Sequence, residues 1–137
     1  MSEVVHRWRR EPRSVPLARA ELRKALSDWG LAALEGDALV VLSELVTNAV
    51  RHAKGPGDRK IETRFSLTAH GVRIEVHDAC AASPEVSVPD VAENRGRGLF
   101  VVSSLADRWA VGEREGVGKR VWVELWAPAL GGERREG

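Results

Sequence analysis

Glu44-Leu45-Val46-Thr47-Asn48-Ala49-Val50-Arg51-His52-Ala53 is the stretch whose reading decides the fold of this 137-residue chain. At about 100° per residue it is a helix, with Glu44, Asn48 and His52 on one narrow stripe. Leu42, Leu45, Val46, Ala49, Val50 and Ala53 gather on the opposite side and can face a core. A carboxylate, a carboxamide and an imidazole thus line up at i, i+4 and i+8. Such a set can hold a metal, a phosphate and a proton acceptor. Asn48 can coordinate Mg²⁺ through its carboxamide oxygen, since magnesium prefers oxygen ligands and keeps several waters. Glu44, one turn earlier, can act as a general base on a hydroxyl or water. The alternative is that Glu44 and Asn48 decorate a solvated face. His52 reads as a structural hydrogen-bonding residue.

Outward from that helix, Asp37 is placed to cap it, and Gly55 to Arg59 (GPGDR) breaks it after about Lys54. Upstream, Val4 to Trp8 is a short strand. Ser14 is placed as an N-cap, with Pro16 in the first turn of a helix that ends at Gly30. Downstream, Ile61, Thr63, Phe65, Leu67 and Ala69 alternate with polar residues. After a turn at His70-Gly71, so do Val72, Ile74 and Val76. That pattern is a hairpin with one buried and one wet face. Gly96-Arg97-Gly98 precedes a short helix from Leu99 to Ala106. Trp109 to Glu113 and Lys119 to Leu125 make a second hairpin.

The order predicts an α/β two-layer sandwich, a mixed, mostly antiparallel sheet with helices on one face. Val72, Ile74, Val76, Val121, Val123 and Leu125 should face the helices. Trp122 and Trp126 share the other parity with Glu124, and a patch there would suit a partner or a homodimer. Residues 1–130 read as a single domain and 131–137 as a disordered tail.

Composition narrows the classes. Lys+Arg 21 against Asp+Glu 20 leaves a formal net charge of +1, without the basic excess of a general nucleic-acid binder. No apolar run is long enough for a membrane span, and the N-terminal MSEVVHRWRREP lacks a signal-peptide core. The single cysteine, Cys80, excludes an intramolecular disulfide and reads as a small buried residue. The expectation is a soluble cytoplasmic protein.

Two further motifs carry chemistry. Asp78 has the parity of Val72, Ile74 and Val76, so its carboxylate should point to the helix side where the strand ends. The exocyclic amine of adenine is a suitable donor to it; a plain turn cap is the alternative. Gly96 and Gly98 let backbone amides approach a phosphate, and the helix from Leu99 adds the positive end of its dipole. An ordinary tight turn is the alternative. Arg95 and Arg97 flank the glycines and could pair with phosphate oxygens or stay solvated.

In this order the motifs resemble the GHKL ATPase superfamily, which includes gyrase and the histidine kinases. The words ELVTNAVRHA and GRGLFVVSSLADRW are similar to the anti-sigma-factor serine/threonine kinases, particularly the small stand-alone actinobacterial regulators. The resemblance covers roughly residues 14 to 126 and implies a Bergerat (histidine-kinase-like ATPase) fold with ATP and Mg²⁺ as cofactors. It also implies phosphorylation of an anti-anti-sigma partner and control of a sigma factor. By the same resemblance Glu44 is the catalytic base and Asn48 the Mg²⁺ ligand. Asp78 is the adenine-binding Asp, and Gly96 and Gly98 are the phosphate-loop glycines. The chain departs from the pattern twice. The family's D-x-G-x-G here reads Asp78-Ala79-Cys80-Ala81-Ala82. The hydroxyl residue often found after Gly-Lys is replaced in Gly118-Lys119-Arg120, where a long arginine stands. A non-catalytic module that sequesters a sigma or anti-anti-sigma factor is therefore the alternative function.

Overall fold

The computed structural model describes residues 2–52, 60–78, 96–113 and 119–128. In chain order these form β1 (Glu3–Arg9), α1 (Ser14–Asp28), a 3₁₀ turn (Ala32–Leu34), α2 (Glu35–His52), β2 (Lys60–Leu67) and β3 (Gly71–Asp78). After them come α3 (Gly96–Leu105), β4 (Arg108–Glu113) and β5 (Lys119–Trp126). The strands make one sheet in the order β1-β2-β3-β5-β4, and each of its four pairings is antiparallel. The helices pack on one face, so the architecture is the expected α/β sandwich.

Two helix starts differ from the sequence reading. Ser14 does not cap α1 but is its first residue. It is 2% exposed, and its Oγ donates to the Arg9 carbonyl at 2.6 Å. The hydroxyl ties the helix to the end of β1 and is not available to the helix's own amides. Asp37 likewise lies inside the first turn of α2, because the 3₁₀ turn leads the chain into the helix at Glu35. There it still suits the positive end of the helix dipole. The stop of α1 is as read: Gly30 takes φ +72°, a left-handed conformation that favours glycine after a helix.

The core lies between α1, α2 and the sheet. Leu22, Leu26, Val41, Leu42, Val46, Ile61, Phe65, Val72, Ile74 and Val123 are all wholly buried. The parity expected for β3 and β5 holds, with Val121 partly buried at the core margin. Trp8 belongs to this side too. Its indole donates to Thr63 Oγ1 at 2.8 Å, so a buried hydroxyl and a tryptophan satisfy each other beside the core. The β2–β3 turn is closed by Thr68, whose Oγ1 accepts from the Gly71 amide at 2.9 Å. A Cβ at Gly71 would run into the Leu125 carbonyl, so the close approach of β5 requires glycine there.

The opposite face is not simply wet. It carries a lattice of ion pairs in which the carboxylates are recessed. Glu62 takes Arg64 at 2.7 Å and Arg7 at 3.3 Å. Glu75 takes His77 at 2.7 Å. Arg73 Nε lies 3.5 Å from Glu75 and 4.0 Å from Glu124, close enough for charge pairing without hydrogen-bond alignment. The Arg73 guanidinium sits 4.2 Å over the Trp122 ring, a cation–π contact. Trp122 and Trp126 are half-buried, and the Trp126 indole donates to Glu124 at 3.3 Å. Both indoles therefore take part in the polar lattice while remaining partly exposed.

Burial pushes the Glu62 carboxyl up, but hydrogen bonds from Arg64 and Arg7 outweigh it and leave the group below the ordinary carboxylate range. The hydrogen bond from His77 lowers Glu75 in the same way, against the effect of burial.

Candidate functional site

On the helix side of the sheet, α2 carries Glu44 and Asn48 and the end of β3 carries Asp78. α2 packs on β2, β3 and β5, and it carries Glu44 and Asn48, both half-buried. Their stripe borders the core and does not stand opposite it. Val41, one turn before Glu44 on the same flank, is wholly buried. A half-buried flank suits a ligand better than a solvated one, because polar groups there are partly shielded from water. His52 is the last residue of α2.

Asp78 ends β3 and is 7% exposed. Its register partner on β2 is Ile61, which is wholly buried on the helix face. A carboxylate at the rim of an apolar layer is costly unless it accepts hydrogen bonds. Asp78 has a polar or electrostatic partner within the protein.

On β5, the residue in register with Asp78 is Lys119. Arg120 is in register with His77 and belongs to the ion-paired face. The expectation that Arg120 replaces a hydroxyl at the adenine end is therefore corrected: the strand's alternation turns that residue to the other side of the sheet. Counting back by twos from Val123 and Val121 leads to 119, so the signal was present in the sequence.

The glycines are also placed differently. α3 begins at Gly96, so Gly96, Arg97, Gly98 and Leu99 form its first turn and do not precede it as a loop. The first amides of a helix have no intrahelical partner, and this turn contains no acidic residue to oppose an anion. α3 packs against α2. Arg95, the run Ala79 to Ala82 with Cys80, Gly118 and the tail 131–137 lie outside the described residues.

The architecture is an antiparallel sheet with helices packed on one face, and the family comparison agrees with it. Residues 8–125 match the family model of the histidine kinase-like ATPase domain. The chain belongs to this family. Comparison with individual curated proteins gives no match. Domains of this type bind ATP, generally with Mg²⁺. The donor set fits that pair. Asn48 offers one oxygen ligand, and among the described residues no cluster of three acidic, histidine or cysteine side chains could hold a metal alone. A magnesium ion here would complete its shell with phosphate oxygens and water, as it commonly does. No helix among the described residues is long and apolar enough to cross a membrane.

Proposed function

We propose that the chain is an ATP-dependent protein serine/threonine kinase of the anti-sigma type. It would phosphorylate an anti-anti-sigma partner and regulate a sigma factor by partner switching. One observation supports this above the others: half-buried Glu44 and Asn48 stand on α2, which packs on β3, and buried Asp78 ends β3 on its helix-facing side, in a histidine kinase-like ATPase domain. Asp78 would accept the adenine amine and so orient the base. Asn48 would hold Mg²⁺ through its carboxamide oxygen. The amides of Gly96 to Leu99 would receive phosphate oxygens, with Arg95 and Arg97 as flanking cations. Glu44 would take the proton of the partner's hydroxyl. The bound nucleotide supplies the phosphoryl group; the protein supplies position and charge.

A second reading keeps the scaffold without catalysis, as a module that sequesters a sigma or anti-anti-sigma factor. The run Ala79-Cys80-Ala81-Ala82, with no glycine, favours it.

One experiment separates the two: phosphate transfer from labelled ATP to a cognate anti-anti-sigma protein, together with calorimetry of Mg-ATP binding. The kinase reading expects transfer, and a loss of about 10²–10⁴-fold in Glu44→Gln with nucleotide affinity retained. Partner binding without transfer establishes the non-catalytic reading, and equal transfer by wild type and Glu44→Gln removes Glu44 from the chemistry.

A further inference from the structure

The described carboxylates of the open face are all engaged. Arg64 takes Glu62 and Glu3, and His77 takes Glu75. The Trp126 indole donates to Glu124, and Arg73 lies between Glu75 and Glu124. The cations are in excess. On the β4 side of that face, neither Arg108 nor Arg120 forms an ion pair with a described residue, and Arg120 Nε is buried without a hydrogen-bond partner among them. The register puts these two arginines at the ends of one strip. Arg108 stands opposite Glu124, Ala110 opposite Trp122, and Gly112 opposite Arg120. Opposed residues share a side of the sheet, so all of these face away from the helices. Between the arginines the strip is low along β4, since Ala110 is small and a Cβ on Gly112 would meet nothing within 4 Å. Half-buried Trp122 forms its inner wall.

We propose that this strip docks an extended acidic segment of a partner protein, with two carboxylates set four residues apart and an apolar residue midway. The spacing follows from the strands. Arg108 lies level with Glu124, four residues from Arg120, which is about 13 Å along the sheet. An extended chain returns to one side every second residue. Positions i and i+4 of the segment therefore reach the two guanidiniums, and position i+2 lies against Trp122 and Ala110. Arginine suits the task because its planar fork pairs with both oxygens of a carboxylate. The Arg73 guanidinium lies 4.2 Å from the Trp122 ring and that of Arg108 lies 5.7 Å from it, so cations already crowd the ring. That favours a carboxylate-bearing peptide over a nucleic-acid strand, whose bases would need a free aromatic face to stack on. The strip faces away from the helices and Asp78 faces toward them, so the docked segment and the candidate site do not compete for one surface.

Fluorescence anisotropy of the full chain with a fluorescein-labelled peptide centred on Glu-Thr-Leu-Thr-Glu tests this. It is run at about 0.1 M salt, where charges more than ~10 Å apart are largely screened. Saturable binding is expected. Arg108→Glu and Arg120→Gln should each weaken it about tenfold or more, the effect of losing one charge-assisted hydrogen bond. Arg9→Glu changes an exposed cation at the far edge of the same sheet and should leave binding within about twofold. A peptide with its two glutamates adjacent, Glu-Glu-Thr-Leu-Thr, should bind as poorly as either variant binds the first peptide. Arg108 is exposed, so its variant keeps the test open should Arg120→Gln fail to fold, and circular dichroism verifies each chain. The proposal is overturned by no saturable binding up to ~1 mM peptide, by indifference to Arg108→Glu or to the glutamate spacing, or by equal sensitivity to Arg9→Glu. Tighter capture of a labelled oligothymidine, lost in Arg108→Glu, would overturn it in favour of a nucleic-acid site.

Discussion

The two faces of the sheet solve the burial problem in different ways, and β3 belongs to both. Toward the helices it presents Val72, Ile74 and Val76, with the single carboxylate of Asp78 at its end. Toward the other side it presents Arg73, Glu75 and His77, interleaved with Glu62, Arg64, Trp122 and Glu124 from its neighbours. The helix face is stabilised by removing apolar surface from water, a large and non-directional effect. The open face has carboxylates 6–14% exposed beneath arginines 33–72% exposed. Such partly solvated pairs contribute little each, since gain in charge attraction is offset by desolvation and side-chain ordering. The comparison teaches that the core and the candidate site share the helix side of the sheet, whereas the open face ties neighbouring strands together by charge pairing.

The largest expected effect tests the stability half of that contrast. Phe65 and Arg64 are neighbours on β2, one wholly buried on the helix face and the other half-exposed on the open face. Phe65→Ala should cost about 3–5 kcal/mol, through lost transfer energy and the cavity left behind. Arg64→Ala should cost roughly 1 kcal/mol or less. Urea unfolding of both variants measures the difference. Equal losses would mean that the ion-paired face carries as much stability as the core.

The next effect tests the division of function. Asp78→Asn keeps the shape of the side chain and removes the anionic acceptor, which should weaken ATP by about 1.5–3 kcal/mol, roughly 10–150-fold. His77→Gln, one residue earlier but on the other face, should leave ATP affinity within about twofold. Calorimetry on the two variants decides it. A His77→Gln protein as impaired as Asp78→Asn would show that the faces are coupled through the strand.

Much of this was legible in the sequence because strand parity is a local property. Val72, Ile74, Val76 and Val123 declare their side by alternation, and the turn at Thr68 to Gly71 declares the hairpin. What escaped is non-local. The pairing of β1 with β2 joins residues 55 positions apart through Arg7–Glu62 and Trp8–Thr63, and no pattern within either strand specifies it. Ser14 has the right residue type for a cap, but the carbonyl of Arg9 competes successfully for its hydroxyl. The polar alternation of β2 and β3 reads as a wet face. Long arginine side chains lying back over glutamates cannot be seen in a one-dimensional pattern. For the site, the helix stripe and Asp78 were visible as residue types, whereas the start of α3 at Gly96 was not. Glycine argues for a break before a helix, yet α3, packed on α2, begins at Gly96.

The smallest effect concerns acid, and it isolates the open face. Glu62 and Glu75 both titrate below the ordinary carboxylate range in the folded chain. For Glu62 the arginine hydrogen bonds overcome the upward push of burial; for Glu75 the His77 hydrogen bond does so. A carboxyl that binds its proton less readily when folded contributes stability that is complete above the unfolded value, near ~4.3 for glutamate. That stability is lost as pH falls through the folded value, since the unfolded chain then takes up protons the native chain resists. Stability should therefore decline on acidification below the ordinary carboxylate range. Glu62→Gln should make that decline shallower while lowering stability at neutral pH by roughly 1 kcal/mol, the loss expected when a charged acceptor for two partly exposed arginines is neutralised. Urea midpoints of wild type and Glu62→Gln from pH 7 downward measure both quantities, and the two curves should converge in acid. Parallel curves with an unchanged slope would show that Glu62 has no part in the acid response. The open face would then be a passive charged surface, and its carboxylates would not be recessed anchors for the arginines above them.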